Sequence, residues 1–272
     1  MTATSTARAS IIEAATSYLD ALVSHDSASV RLADDVRRIG NGKDIVAGAD
    51  ALRAVIEREP VGAITPPRWV VDGQHAAAVY DLEADLSRST QSETFGPRDS
   101  WMPGYIAERF TVVDGLIADI EVVYAGTEAG RPRPPRPERY PRATGAGAPS
   151  RQQVIDVASA YLAALVSHDG SQVPFAPLAW RVENQHNSGN SGPDIAAALG
   201  IEIMHVITGV RDQNWYVEDD TAVVFYTIDV DLGRLPNAAA DAAKSAKRLG
   251  ERFRVCDGMI AEIEAVIPAT DL

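Results

Sequence analysis

The stretch ERFTVVDGLIADIEVVY at residues 108–124 recurs as ERFRVCDGMIAEIEAVI at residues 251–267. A second stretch repeats with the same offset of 143 residues, because YLDALVSHD at 18–26 returns as YLAALVSHD at 161–169. Two long matches at one shared offset indicate a duplication. The length of 272 residues agrees with two domains of ordinary size. The sequence therefore predicts two copies of one module.

Each copy shows the element pattern of an α+β module. A helix with apolar residues spaced by threes and fours opens each copy, and a second helix is expected after Gly48 and around Pro193. A short helix and a short strand are expected between these two helices. The dipeptides Asp114–Gly115 and Asp257–Gly258 separate apolar runs and predict tight hairpin turns. Further strands are expected near residues 68–72, 76–86, 105–113 and 116–124 of copy 1, and near residues 214–218, 221–232, 250–256 and 259–267 of copy 2. The pattern predicts a strongly curved antiparallel sheet wrapped around helices.

The segment between the copies differs in composition. Residues 126–150 are rich in Pro, Arg and Gly and show no periodicity, which is typical of a linker. We therefore expect repeat 1 to span residues 1–125 and repeat 2 to span residues 151–272, joined by a solvated, semi-extended linker. A basic binding motif at residues 131–142, where arginines alternate with prolines, is the alternative.

Composition and charge restrict the classes of partner. The net charge of −13 argues against binding to nucleic acid. No apolar run approaches the roughly 18 residues that span a bilayer, and no basic region with an apolar block opens the sequence. We therefore expect a cytoplasmic protein without a membrane partner. A single cysteine, Cys256, excludes an internal disulfide. The sequence has no nucleotide-binding fingerprint, nucleophilic serine motif or histidine metal motif, so we expect no cofactor and no metal.

Both copies resemble the SnoaL-like and ketosteroid-isomerase-like branch of the NTF2-like superfamily. The stretches that carry the resemblance in copy 1 are YLDALVSHD, RLADDVRRIGNG at 31–42, GADALRAVI at 48–56, and ERFTVVDGLIADIEVV. The likeness covers nearly the whole of each copy and implies two tandem cone-shaped α+β domains. It implies chemistry less narrowly, because this fold hosts isomerases, cyclases, dehydratases, epoxide hydrolases and non-catalytic modules.

The resemblance also implies a set of catalytic groups in copy 2. In the isomerase-like members, a helix tyrosine and a protonated carboxylic acid donate hydrogen bonds to a developing oxyanion, while a second carboxylate moves the proton. Tyr161, Glu251 and Glu183 match these three roles. Glutamates stand where the family has aspartates, so each carboxyl group reaches one methylene further.

In copy 1 the matching residues are Tyr18, Glu108 and Gly40. Because Gly40 stands at the position of the proton-moving carboxylate, copy 1 is expected to hold a degenerate site. Copy 2 is therefore expected to hold the working pocket.

The alternation of a strand supports an inward Glu251 independently of the family. Alternate residues of a strand share a face, so Glu251 points the same way as Phe253 and Val255. An inward carboxyl group would be desolvated, which raises its pKa and favours the neutral donor form. A solvated glutamate at the start of the strand is the alternative, and the same pair of options holds for Glu108.

The strand that carries Glu183 has two registers open to it. Either Arg181 and Glu183 face inward, or Trp180, Val182 and Asn184 do, because a slip of one residue exchanges the faces. Apolar content favours the second register. In the first register, Arg181 and Glu183 would line the mouth of a pocket.

Several further residues are expected to contact a bound molecule, and each has a structural alternative. Tyrosines on the first helix could be packing residues, and an Asn after a strand could serve a turn. The loop NQHNSGNSG, with His186, could act as a lid. His25 and His168 are interpreted as structural helix ends, and His205 as a core residue. The expected contact residues are Asn184, Arg181, Trp215, His186, Tyr226, Tyr18 and Glu108.

The leading functional hypothesis is a cofactor-independent lyase or isomerase acting on a hydrophobic, carbonyl-bearing small molecule in the repeat 2 cavity. A non-catalytic binding or assembly module is the alternative, and an arginine bridging the acids would favour it. An epoxide-type hydrolase, with the same carboxylates activating water, is also left open. Proteins of this fold often pair through their sheets, so the resemblance implies an intramolecular pseudo-dimer of the two repeats, with further homo-oligomerisation left open.

Overall fold

The computed structural model of the chain describes residues 2–85, 101–126, 134–236, 238–239 and 243–268. The chain forms two compact units, which divide between residues 132 and 133. Each unit is an α+β cone in which one sheet wraps around helices, so the predicted tandem of NTF2-like domains is confirmed.

Repeat 1 begins with its longest helix and then alternates short strands with a second helix. Its elements in chain order are α1 (Thr2–Ser24), β1 (Leu32–Gly40), β2 (Lys43–Ala47), α2 (Ala49–Ile56), β3 (Val61–Ile64), β4 (Arg68–Asp72), β5 (His75–Asp85), β6 (Trp101–Val113) and β7 (Leu116–Gly126). Repeat 2 follows the same order, with one long strand in place of β3 and β4. Its elements are α3 (Arg151–Ser167), β8 (Phe175–Glu183), β9 (His186–Gly189), α4 (Gly192–Leu199), β10 (Ile207–Glu218), β11 (Thr221–Asp231), β12 (Lys244–Cys256) and β13 (Met259–Val266).

The two sheets have the same topology. The strand order is β2-β1-β7-β6-β5-β3 in repeat 1, with β4 also paired to β5, and β9-β8-β13-β12-β11-β10 in repeat 2. Neighbouring strands are antiparallel except β1 with β7 and β8 with β13, which are parallel. The expected antiparallel sheet is therefore mixed. A parallel pair of strands needs a long crossover connection. In each repeat the two parallel strands are the first and the last in the sequence, so the chain between them supplies that connection.

The predicted hairpin turns are confirmed. Asp114 and Gly115 both have positive φ, at 51° and 73°. The corresponding residues of repeat 2, Asp257 and Gly258, have φ of 48° and 74°. Two successive residues with positive φ form the type I′ turn, whose twist matches that of the flanking strands.

The region between the two helices of each repeat differs from the prediction. In the described chain, residues 25–31 form turns rather than a short helix, and β1 runs directly into a hairpin with β2. In repeat 2 the partner strand is β9, so the stretch with His186 is an edge strand and not the lid-like loop that was expected.

The helices bury the residues that the periodicity predicted. Tyr18 of α1 meets Phe110 edge-on, with 5.4 Å between ring centroids, and Tyr161 of α3 meets Phe253 at 5.5 Å. Burial of large apolar side chains contributes about 1.5–3 kcal/mol each. The buried helix residues include Ile11, Ala15, Leu19, Leu22, Val154, Ala158, Leu162 and Leu165. Ser150 starts α3 with a capping box that it forms with Gln153, which fixes where the helix begins.

Residues 134–143, here called the strap, lie along the outer face of the repeat 2 sheet. The indole nitrogen of Trp180 donates to the carbonyl oxygen of Pro137 at 3.0 Å. Arg136 pairs with the buried carboxylate of Glu264 at 2.8 Å. The structure therefore differs from the solvated linker that composition predicted, because the strap's carbonyl and guanidinium groups satisfy polar groups of the sheet.

Arg254 shows how closely the strap is joined to the sheet. This guanidinium is fully buried and donates to Glu262 at 2.7 Å and to the carbonyl oxygens of Tyr140 and Pro141 at 3.1 and 3.0 Å. A buried arginine requires partners for its donors, and two of these partners come from the strap.

Candidate functional site

Glu251 of β12 lies on the inner face of the repeat 2 sheet. It is 1% exposed, and the hydroxyl of Tyr226 on β11 donates to its Oε2 at 2.8 Å. Burial raises the pKa of Glu251 from 4.5 to about 7, against the opposing effects of Arg181 and of the hydrogen bond from Tyr226. The inward orientation that strand alternation predicted for this residue is the one the structure has.

The register of β8 is the one that apolar content argued against. Arg181 and Glu183 point to the same side as Tyr161 and Glu251. Trp180 is buried on the other side, where it donates to the strap. The apolar residues of β8 can be buried on the outer face of the sheet, because the strap covers that face and shields them from solvent.

Arg181 links the two acids of repeat 2. Its Nη1 lies 2.5 Å from Glu183 Oε2 and donates to Ser188 Oγ at 2.9 Å, and its Nη2 lies 3.8 Å from Glu251 Oε1. Burial raises the pKa of Tyr161, although the charge of Arg181 opposes this. The residues predicted as catalytic therefore converge, with an arginine between the two carboxylates.

Repeat 1 contains the same four inward side chains. Tyr18, Arg38 and Glu108 match Tyr161, Arg181 and Glu251 at the offset of 143, and Tyr80 takes the place of Tyr226. We call each set a quartet. The hydroxyl of Tyr80 donates to Glu108 Oε2 at 2.6 Å.

Glu108 is 1% exposed, and its burial raises the pKa from 4.5 to about 7 while Arg38 opposes that rise. The two repeats thus place a carboxyl group of similar character at the same point of the cone.

The partner acid of the arginine differs between the repeats. Arg38 makes two contacts with Glu59, one of them at 3.3 Å between Nη2 and Oε2, and Glu59 follows α2. The counterpart acid in repeat 2, Glu183, comes from the strand that carries Arg181. Gly40 leaves the expected position of copy 1 without a carboxylate, but Glu59 places one beside Arg38 from elsewhere in the chain.

A cavity of about 460 Å³ opens beside the repeat 1 quartet. Its polar end is formed by Arg38, Glu59, Tyr80 and Glu108. Most of its remaining wall is apolar. These further lining residues include Leu22, Ile45, Val61, Leu82, Ala84, Ile106, Val122 and Tyr124. Ligand sites combine such an apolar wall with a small number of polar groups, so repeat 1, which was expected to be degenerate, contains a cavity suited to a small molecule.

Tyr18 lies behind the lining of this cavity, near Arg38 and Glu108. Its side chain is fully buried, and its hydroxyl has no hydrogen-bond partner among the described residues. Burial raises the pKa of this hydroxyl, while Arg38 opposes the rise. The group is therefore a neutral donor at ordinary pH, on the helix where a tyrosine was expected.

The remaining predicted contact residues lie elsewhere. Asn184 has positive φ. Its side-chain Nδ2 donates to the carbonyl oxygen of Ile267 at 2.7 Å, and its Oδ1 accepts from the backbone N–H of Ile267 at 2.8 Å. It serves the turn and joins it to the end of β13, and its role as a substrate-binding residue stays a prediction. Trp215 packs against Phe253, with 6.4 Å between ring centroids, and its indole nitrogen donates to Gln213. His186 lies in β9, opposite Glu183 in the register.

The two repeated histidines end helices, as the sequence indicated for His168 and His25. Both have positive φ, at 58° and 57°. His205, which was interpreted as a core residue, is exposed and stacks on His168 with 4.5 Å between ring centroids.

Sequence reasoning missed three functional groups of repeat 1. Arg38 had a signal, because it matches Arg181 at the shared offset, and Tyr80 had one through its match with Tyr226. Glu59 also has an identical residue at the shared offset, Glu202, but this match gave no indication of a contact with the arginine. Glu202 is exposed and is not among the residues that pair with Arg181.

Two kinds of feature are absent from the described residues. No group of three or more His, Cys, Asp or Glu residues is placed to hold a metal ion within the described ranges. Within those ranges, no helix has the length and apolar character needed to cross a membrane.

A family described as "Domain of unknown function (DUF8021)" matches the sequence twice, over residues 4–124 and 147–267. The chain belongs to this family. Each DUF8021 match contains one complete quartet, from Tyr18 to Glu108 in the first and from Tyr161 to Glu251 in the second. No curated protein matches the chain.

Solved structures similar to a single DUF8021 repeat come from several sources. TsrD from Streptomyces laurentii is 18% identical, with a TM-score of 0.37, over 44% of this chain and 90% of that one. An epoxide hydrolase of the LEH-like type from M. tuberculosis is 19% identical, with a TM-score of 0.35, over 43% and 83%. A putative ketosteroid isomerase from Kribbella flavida is 22% identical, with a TM-score of 0.33, over 51% and 93%. Likeness at this level does not bear on the activity of the DUF8021 chain.

Proposed function

We propose that the chain is a cofactor-independent lyase or isomerase that acts on a hydrophobic, carbonyl-bearing small molecule by acid–base chemistry. We place the reaction in the repeat 1 cavity rather than in repeat 2. The observation that carries this proposal is that Glu108 and Glu59 both line one largely apolar cavity, together with Arg38, which pairs with Glu59.

The two carboxyl groups suit opposite roles. Glu108 is buried and has a pKa of about 7, so a large fraction of it is protonated and can donate a proton near neutral pH. Glu59 is ion-paired with Arg38 and partly exposed, so it is a carboxylate that can accept one. Pairs of acids whose surroundings separate their protonation states in this way are typical of acid–base sites.

The chemistry would proceed through an enol. Glu59 removes a proton from the carbon beside the carbonyl group, and the released electron pair forms the carbon–carbon double bond. The carbonyl π electrons move to oxygen, which takes the proton of Glu108. In the second half of the reaction the enol oxygen returns its proton to Glu108 and the carbonyl group re-forms. If the substrate has a β,γ double bond, transfer of the proton on Glu59 to the γ carbon gives the conjugated isomer. If it has a β leaving group, that group departs with its bonding electron pair and takes the proton from Glu59, which gives a lyase reaction. Arg38 and the hydroxyl of Tyr80 stabilise the charge that develops.

A second candidate is a non-catalytic module that binds the same kind of molecule. The observation that favours it is the pairing of each arginine with an acid: Arg38 makes two contacts with Glu59, and Arg181 lies between Glu183 and Glu251. A base held by two contacts has less freedom to reach a substrate. An epoxide-type hydrolase would use Glu59 to activate water instead.

The test uses 6-propionyl-2-dimethylaminonaphthalene (prodan), a hydrophobic ketone whose fluorescence reports binding. In D₂O, catalysis exchanges the protons beside its carbonyl group for deuterium, which mass spectrometry detects. We expect exchange above buffer with the full chain, and a loss of about 10²-fold or more in Glu59→Gln and Glu108→Gln. Glu13→Gln, an exposed change on α1, is the matched control and should exchange like wild type.

The alternatives give different results. Binding of prodan without exchange above buffer would support the binding module and refute the catalytic proposal. Unchanged exchange in both Glu59→Gln and Glu108→Gln would remove these residues from the chemistry. If exchange fell in Glu183→Gln and Glu251→Gln instead, the reaction would belong to repeat 2.

A further inference from the structure

The hairpin beside each quartet contains one extra residue. In repeat 1, Arg38 pairs with Val46 and Ile39 pairs with Asp44, so Ile45 has no partner in the register. In repeat 2, the corresponding pairs leave out Ser188. Such a β-bulge turns its side chain in a new direction, and bulges are common beside active sites. Both repeats therefore place a bulge residue at the same point of the cone.

The two bulge residues contact the site in chemically different ways. Ile45 lines the repeat 1 cavity. Ser188 accepts a hydrogen bond from Arg181 at 2.9 Å. The same position is thus part of an apolar wall in one repeat and a polar contact to the quartet arginine in the other.

Gly40 allows Ile45 to take this position. A Cβ atom at residue 40 would lie 2.1 Å from Ile45 Cδ1, which no pair of carbon atoms tolerates. Repeat 2 has Glu183 in the place of Gly40, and there the bulge residue is the smaller Ser188. The residues at these two positions therefore differ together: Gly with Ile in repeat 1, Glu with Ser in repeat 2.

Ile45 also lies at the outer end of the cavity. Ile45 is 45% exposed, and the lining residue Tyr124 is 50% exposed. Glu108, at the inner end, is only 1% exposed. Ile45 therefore offers an apolar surface to the part of a bound molecule that lies nearest the solvent-exposed mouth of the cavity.

We propose that the bulge residue Ile45 is a specificity-determining position of the repeat 1 site. It selects molecules whose part nearest the cavity mouth is apolar, whereas Ser188, the bulge residue of repeat 2, presents a hydroxyl group at the same position. This inference rests on the proposed binding of a small molecule in the repeat 1 cavity, but it does not require catalysis.

The experiment measures dissociation constants by fluorescence for two naphthyl ketones. One is prodan, and the other is 6-propionyl-2-naphthol, which has a hydroxyl group in place of the dimethylamino group. In Ile45→Ser we expect prodan to bind about tenfold more weakly, which corresponds to about 1.4 kcal/mol, while the naphthol changes by less than about twofold. Ile45→Val keeps the apolar wall and should bind both compounds like wild type.

Two more variants separate the wall from general effects on the fold. Gly40→Ala displaces Ile45 without changing it, and should weaken prodan selectively in the same direction. Val113→Ser changes a β-branched residue of similar exposure, 42%, on a different hairpin of the same repeat, and should have no effect.

The outcomes are distinguishable from failure of the catalytic proposal, because binding is measured and not turnover. Equal weakening of both ketones in Ile45→Ser would indicate a merely structural role and overturn the inference. So would unchanged prodan binding in Ile45→Ser, or weakening of the same size in Val113→Ser.

Discussion

The carboxyl group of Glu108 should make repeat 1 less stable as pH rises towards neutrality. In the unfolded chain a glutamate titrates near 4.5, whereas in the folded chain burial raises the pKa of Glu108 to about 7. Between these two values the folded protein retains a proton that the unfolded chain has released. By linkage, the stabilisation is complete below the lower value and is lost as pH rises through the upper one.

The size of the effect follows from the two pKa values. A rise from 4.5 to about 7 corresponds, at about 1.4 kcal/mol per pKa unit, to about 3 kcal/mol of stability lost across the window. Glu108→Gln resembles the protonated acid in shape and keeps an oxygen that can accept from Tyr80. We therefore expect this variant to be more stable than wild type by up to about 3 kcal/mol above about pH 7, and close to wild type below about pH 5.

Urea unfolding at about pH 5 and about pH 8 gives the free energies, and a ¹³C NMR titration of the glutamate side chains gives the pKa of Glu108 directly. Glu138→Gln, a change at an exposed side chain of the strap, is the control and should follow the wild-type pH dependence. A Glu108 carboxyl that titrates below about pH 5, or equal pH dependence in wild type and Glu108→Gln, would refute the reasoning.

Three other changes have expected outcomes. Arg254→Met should destabilise repeat 2 by about 3–5 kcal/mol in urea unfolding, because it removes a buried guanidinium group that pairs with Glu262 and Asp220. Arg142→Met, at a half-exposed pair, should change stability by less than about 1 kcal/mol, and equal effects of the two changes would show that the strap contacts of Arg254 contribute little. Tyr80→Phe should shift the NMR titration of Glu108 to higher pH, because it removes a hydrogen bond that lowers its pKa, and a shift to lower pH would contradict this. Asn184→Ala should cost about 1–3 kcal/mol through two lost hydrogen bonds and a strained positive φ, and a thermal unfolding midpoint equal to that of wild type would contradict the role in the turn.

Local patterns were enough to predict the scaffold. Identity between the copies at one offset indicated the duplication, and Asp-Gly between apolar runs indicated the hairpin turns. The inward position of Glu251 followed from strand alternation alone, because the neighbouring Phe253 could only be accommodated in the core. Each of these inferences depends on residues close together in the chain.

The predictions that were wrong depend on contacts between distant parts of the chain. The register of β8 was misjudged because Trp180 is covered by the strap, and nothing in β8 itself indicates that cover. Glu59 was missed because it reaches Arg38 from the end of α2, where the other repeat has no matching contact. The pairing of the two repeats, the cytoplasmic location and the lack of a nucleic-acid partner stay predictions.

The strap also affects where the second module can be cut from the chain. The second family match starts at residue 147, but the compact unit starts at residue 133. A truncated chain beginning at Gly147 would lose the carbonyl oxygens that Arg254 binds and one of the two guanidinium groups that pair with Glu264. The donors of Arg254 that the strap satisfies would then need water as their acceptor. The compact unit is therefore longer than the segment that the family match covers. Residues 134–143, which lie in the additional segment, form no strand or helix of their own.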